Sequence, residues 1–339
     1  MGLVLNALFL LVFLAIGGTL ELGDGWTFVD QEQDDDNSTE GSGEFVDKLN
    51  WITFSRHGKE HPAGSAEVQL FVEYVASQPT LLGKLETGGK LQMEDGPAYT
   101  DPSKHGPSVS DAGTESPTVV DDKLHDVIST NYYPEYAVGV LDNGCTAFLV
   151  GPQHALTAAH CVYNYNTSTW STELDFWRGR NAEEYLQKME WKHVIIPYHF
   201  HSTGDDNQNW ALVEFSDESP VWLRLAYSES VQNIPLTVYG YLQDREWETM
   251  YYTMCRSDSE QLDTMDFAIQ CESDQVFTGG PVLRGHSFLQ NKMPVVYGVN
   301  IGRQRSFAHP IVHILSDLFW FVCYSMQSSY FDPHCGSVN

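Results

Sequence analysis

The sequence predicts a mainly β domain closed by one C-terminal α-helix. Three observations carry that prediction. From about Val127 onward, short apolar runs alternate with turn signals. The last such segment changes period, its apolar residues recurring at helical spacing. Ahead of residue 123 the composition shifts to a solvated, acidic texture that cannot supply the same core.

The strand candidates are 136–141, 147–150, 211–215, 236–241, 282–283 and 295–299. Asn143-Gly144 and Gly151-Pro152 punctuate the first of them as turns. The closing helix is read from Ile311, Ile314, Leu315, Leu318, Phe319 and Val322 behind Pro310. Residues 19–122 hold 21 Asp/Glu against 6 Lys/Arg and no cysteine. Within them, 30–44 and 88–117 are rich in Gly, Ser, Pro and acid, and are expected to be loops or disorder. Residues 66–78 allow one strand or a short helix, with 71–75 as a strand added to the edge of the following domain as the competing view. The expected division is a signal peptide over 1–18, a largely disordered acidic extension or pro-region over 19–122, and a folded domain over 123–339 able to fold without it.

The chain has 339 residues and 42% hydrophobic content, enough for a packed core. Acidic residues outnumber basic ones 46 to 18, and a net charge of −28 repels phosphate backbones and anionic lipid. Nucleic-acid binding is therefore not expected. Residues 3–16 are almost wholly apolar, with Asn6 the one strongly polar residue, and Glu21 and Asp24 follow soon after. That length falls short of the roughly 20 residues a membrane span needs. Ala15 and Gly17 supply the small residues of a cleavage site, although no Lys or Arg precedes the run. Secretion is the expectation, with no membrane span and with oxidised cysteines. The six cysteines allow three bridges, and the sequons at Asn37 and Asn166 are expected to be glycosylated.

The chemistry-bearing signal is Gly144-Cys145-Thr-Ala-Phe-Leu-Val150 followed by Leu156-Thr-Ala-Ala-His160-Cys161. It resembles the histidine segment of trypsin-like serine proteases. The resemblance implies two six-stranded antiparallel β-barrels, a Cys145–Cys161 bridge, and His160 as the imidazole that takes a proton from the nucleophile. The aspartate that would orient it is replaced by Asn209, in Asn209-Trp-Ala-Leu-Val-Glu-Phe215. Asp206 and Asp205 lie three and four residues upstream, ~10 Å away along an extended chain. The nucleophile segment reads Val276-Phe277-Thr278-Gly279-Gly280-Pro281. Thr278 stands for the serine, and Val276 stands at the oxyanion-hole position where the family has glycine. Loss of one oxyanion donor costs ~10²–10³ in rate. Phe277 replaces the acidic residue before the nucleophile. Three catalytic requirements fail together.

Cys255 with Cys271 shortly before the nucleophile loop, and Cys323 with Cys335 near the terminus, are similar to the group of secreted serine protease 23 and inactive serine protease 35. That likeness implies the pairs Cys255–Cys271 and Cys323–Cys335, and a threonine-for-serine inactive branch. The expected function is a secreted, catalytically inactive serine-protease homologue acting by binding an extracellular protein, a protease or its substrate. A weak endopeptidase using Thr278 and His160, and a structural extracellular component, are the alternatives. No cofactor or metal is expected; His193, His199 and His201 are read as surface or turn residues rather than zinc ligands.

Overall fold

The computed structural model describes residues 20–22, 26–28, 50–76, 124–225, 234–242, 249–257, 266–271, 277–284, 294–302, 308–313 and 316–326. The expected signal peptide, Asn37, Val276 and Cys335 lie outside them. Contacts divide the chain into a larger unit of residues 50–62 and 100–319 and a smaller one of 1–49, 63–99 and 320–339. In the smaller unit, β1 (Leu20–Leu22) and β2 (Trp26–Phe28) pair with each other.

The larger unit opens with a hairpin, β3 (Trp51–Ser55) and β4 (Glu60–Pro62). Its turn closes through Ser55 N to Lys59 O and Gly58 N to Ser55 O, both 2.9 Å. Trp51, Ile52 and Phe54 are buried. The chain then passes into helix α1 (Ser65–Ala76) of the smaller unit, so 66–76 is helical and 71–75 is not an edge strand. Glu67 Oε2 accepts the Gly64 N–H at 2.8 Å and so satisfies one orphan donor at the helix start. Phe71 and Tyr74 pack on Tyr324, and Phe71 also on Phe321.

From residue 124 the larger unit continues as β5 (Leu124–Asp126), β6 (Val138–Leu141), β7 (Thr146–Gly151) and β8 (His154–Thr157), and the one-turn helix α2 (Ala159–Val162) follows. Next come the short pair β9 (Tyr163–Asn164) and β10 (Thr169–Trp170), then β11 (Phe176–Arg178), β12 (Gln187–Met189) and β13 (Trp191–Pro197). Helix α3 (Tyr198–Thr203) and a 3₁₀ turn over Asp206–Gln208 lead to β14 (Ala211–Phe215). The first sheet orders these as β12-β11-β6-β7-β8-β14-β13-β3-β4. Every residue of β6, β7 and β8 is buried, which is why β6 and residues 147–150 of β7 carry no alternation of apolar and polar positions.

This sheet departs from the expected six-stranded barrel, and it takes in residues 51–62 of the extension as two strands. The outer edge of β13 pairs with β3, His193 opposite Ser55 through Pro197 opposite Trp51. The sheet therefore runs on to the hairpin, and among the described residues its end strands do not pair with each other. Residues 51–62 belong to the sheet of the domain expected to begin at 123.

The second sheet takes β15 (Arg224–Leu225), β16 (Pro235–Tyr241), β17 (Met250–Ser257), β18 (Asp266–Gln270), β19 (Pro281–Arg284), β20 (Val295–Asn300) and β21 (Ala308–His313). Its order is β15-β20-β19-β16-β17-β18-β21, with β5 on β17 and a further ladder between β20 and β21. The pairings thus run in a circuit of six strands. Leu236, Val238, Cys255, Ile269, Phe277 and Val282 share its buried core. The closing helix begins later than expected: α4 covers Ser316–Met326, and Ile311 lies in β21. Pro310 lies opposite Ala268 of β18, and the β20 ladder starts only at Ile311, so the proline is laddered on one side alone.

Candidate active site

Strand register brings the first two candidate residues together. β14 pairs with β8, Ala211 opposite Thr157 and Leu212 opposite Leu156. Asn209, two residues before Ala211, therefore arrives beside His160, three residues after Thr157. The Cys145–Cys161 disulfide, with Cα atoms 6.1 Å apart, ties the helix carrying His160 to the β6–β7 turn. Asn143 Nδ2 reinforces the tie by donating to Cys161 O at 2.7 Å.

Asn209 is fully buried. Its Oδ1 lies 3.1 Å from the main-chain N of His160 and 3.1 Å from His160 Nδ1, while its Nδ2 lies 3.0 Å from the same Nδ1. Nδ2 also donates to Asp206 Oδ1 at 3.3 Å. These partners fix which end of the amide is which. A main-chain N–H can only donate and a carboxylate can only accept, so Oδ1 must face His160 N and Nδ2 must face Asp206. His160 Nδ1 then meets an acceptor and a donor at nearly equal range. The amide accommodates either imidazole tautomer, where a carboxylate would demand the one with hydrogen on Nδ1.

Asp206 is the site residue that sequence reasoning set aside, because ~10 Å assumes an extended chain. The 3₁₀ turn folds it back: Asn209 N donates to Asp206 O at 3.1 Å. Asp205 starts that turn by accepting Asn207 N at 3.1 Å, and the signal for it was the Asp-Asp-Asn-Gln run itself.

Thr278 sits in the turn between Phe277 and Pro281 and is 7% exposed. Its carbonyl accepts Thr146 N at 2.8 Å, which joins the nucleophile-position turn to β7. The two glycines after it are required. Gly279 has φ +83°, and a Cβ there would fall 2.1 Å from Thr146 O and 2.2 Å from Thr157 Oγ1. A Cβ on Gly280 would fall 2.2 Å from Tyr239 O. The turn is thus pressed against Thr157 and Ala158, the approach to His160. Phe277 is wholly buried in the second core and makes no polar contribution.

The remaining candidates separate. Cys255 and Cys271 form a disulfide, and Cys323 is disulfide-bonded. His193, His199 and His201 each face a different carboxylate, of Glu214, Asp205 and Glu60 respectively. Asn166 is exposed in the turn between β9 and β10. Among the described residues, no helix is long and apolar enough to cross a membrane.

Comparison with known proteins fits this geometry. The family model Trypsin matches residues 128–254. A glutamyl endopeptidase of Bacillus licheniformis is 24% identical over 135 residues, covering 37% of this chain and 42% of that protein. The chain thus matches less than half the length of this curated relative. A solved structure of a Glu endopeptidase in complex with MPD superposes with a TM-score of 0.54 at 17% identity, over 61% of this chain and 98% of that one. Mainly β, with residues 128–254 matching the Trypsin family model, the chain has a trypsin-like, chymotrypsin-type fold.

Proposed function

We propose that this domain is a catalytically silent member of its fold, exported from the cell and acting by binding another extracellular protein, a protease or a protease substrate. The observation that supports it most is the neutral amide of Asn209 against His160 Nδ1. For His160 to accept a proton on Nε2, its Nδ1 must carry the other hydrogen. An amide that also offers Nδ2–H to Nδ1 accommodates the opposite tautomer as well, and it cannot balance the charge of an imidazolium. The same aspartate-to-asparagine exchange in trypsin costs about 10⁴ in rate. Thr278 adds a methyl at the nucleophile position, and the sequence puts Val276 where an oxyanion donor needs glycine. Export is supported by the apolar run at 3–16 and by the oxidised cysteines.

A fluorophosphonate probe tests the silence directly. The purified secreted protein is expected to remain unlabelled under conditions that label trypsin to completion. Strong labelling that disappears in Thr278→Ala would establish a working nucleophile and overturn the proposal.

A further inference from the structure

A cleft of about 760 Å³ lies between the β3–β4 hairpin, the β9–β10 turn and α3, and Asn166 is part of its wall. Its other lining includes Glu60, Tyr163, Tyr165, Tyr198 and His201. The volume suits one or two sugar rings. Its walls are organised in advance. Tyr165, 41% exposed, lies against Gly204, whose φ of +71° and missing side chain make room for the ring. His201 stacks on Tyr163 with centroids 4.5 Å apart. Glu60 Oε2 is held by the Trp170 indole N–H at 2.8 Å, and Oε1 lies 3.5 Å from His201 Nε2. Burial keeps the His201 imidazole below its ordinary range against the opposing pull of Glu60. The cleft thus offers aromatic surface, one fixed carboxylate acceptor and neutral polar groups, the features that suit a neutral polyol.

We infer that Asn166, in the sequon Asn166-Thr167-Ser168, carries an N-linked glycan whose first N-acetylglucosamine residues fold back into this cleft. Attachment forms a bond from Asn166 Nδ2 to the anomeric carbon of a polyprenyl-pyrophosphate-linked oligosaccharide. The anomeric C–O bond breaks, its electron pair leaves with the pyrophosphate, and one amide proton passes to a base. The turn suits the modification because Asn166 is exposed at its tip. A ligand tethered to the wall of its own cleft occupies it at high effective concentration, so weak sugar contacts suffice. The inference rests on the exported state proposed above.

The test uses full-length protein recovered from culture medium. Peptide mass mapping is expected to find Asn166 modified. Peptide:N-glycosidase is expected to release that glycan more slowly from native than from denatured protein. Enzymatic removal of the glycan is expected to lower Tm by ~2–4 °C, and that difference is expected to shrink in Tyr165→Ala, which keeps the sequon. An unmodified Asn166 on secreted protein overturns the inference and leaves export standing, as does a glycan released equally fast from native protein with no change in Tm. Protein found only in the cytosol overturns the exported reading and this inference with it.

Discussion

Asn209 has a neighbour that would make aspartate costly in its place. Asp206 Oδ1 lies 3.3 Å from Asn209 Nδ2, in a site where Asn209 is fully buried. An aspartate at 209 would set two carboxylates at that range, and like charges so close resist joint ionisation. Asn209→Asp is therefore expected to lower stability to urea at pH 7 by ~1–3 kcal/mol, and Asp206→Asn in the same chain to recover most of the loss. A single variant as stable as the parent would show that Asp206 does not oppose the charge. Glu135 supplies a second expectation at this scale. Burial pushes its carboxyl up to about 7, partly offset by the Tyr239 hydroxyl donating to Oε1 at 3.1 Å. An acid stronger in the unfolded chain than in the folded one favours the fold below its unfolded value of about 4.5, and that contribution is lost as pH rises through about 7. Stability should thus fall by on the order of 3 kcal/mol from this group between those limits. Comparing urea midpoints from pH 4.5 to 8, Glu135→Gln should show a flatter profile than the parent; parallel profiles would remove Glu135 as the cause.

At the scale of elements, the hairpin over residues 51–62 argues against a domain that folds from residue 123 alone. It covers the outer edge of β13 and buries Trp51, Ile52 and Phe54, with Phe54 stacked on Trp170 at 4.7 Å. Burying three such side chains is worth roughly 5 kcal/mol or more, comparable to the whole stability of many domains. A chain beginning at Lys123 is therefore expected to be retained in the cell or to unfold well below the full-length temperature. Secretion of that shorter chain with an unchanged Tm would show the hairpin to be dispensable. The hairpin escaped the sequence reading because a five-residue strand with three apolar residues was averaged into 104 residues dominated by acid and turn formers. β14 was legible to the residue, since its apolar run ends at Ser216 and Asp217 and needs no partner to be recognised. The start of α4 was misplaced because Ile311 continues the helical period yet also suits a strand. Partner strands on both sides decide that choice, and periodicity does not contain them. Asp206 was missed for a related reason: a distance along the chain means little until the turn type is known.

The charge of the whole molecule has a thermodynamic consequence. With 46 acidic residues against 18 basic ones, the chain carries a net −28, and self-repulsion opposes compaction. Added salt shortens the Debye length from about 30 Å at 0.01 M to about 10 Å at 0.1 M and so relieves that repulsion. The opposing effect is loss of ion pairs, here the half-exposed Lys192–Glu214 contact at 2.6 Å and the Arg56 contacts to Asp175 and Glu190 at 3.3 Å. Pairs of that kind contribute about 0–1 kcal/mol each, and few basic residues are available to form them. Repulsion summed over the acidic excess should win. Raising NaCl from ~10 to ~200 mM at pH 7 is thus expected to raise Tm by ~2–4 °C. Choline chloride should do the same at equal ionic strength, which separates screening from specific sodium binding. A Tm that falls with both salts would mean that the ion pairs outweigh the acidic excess.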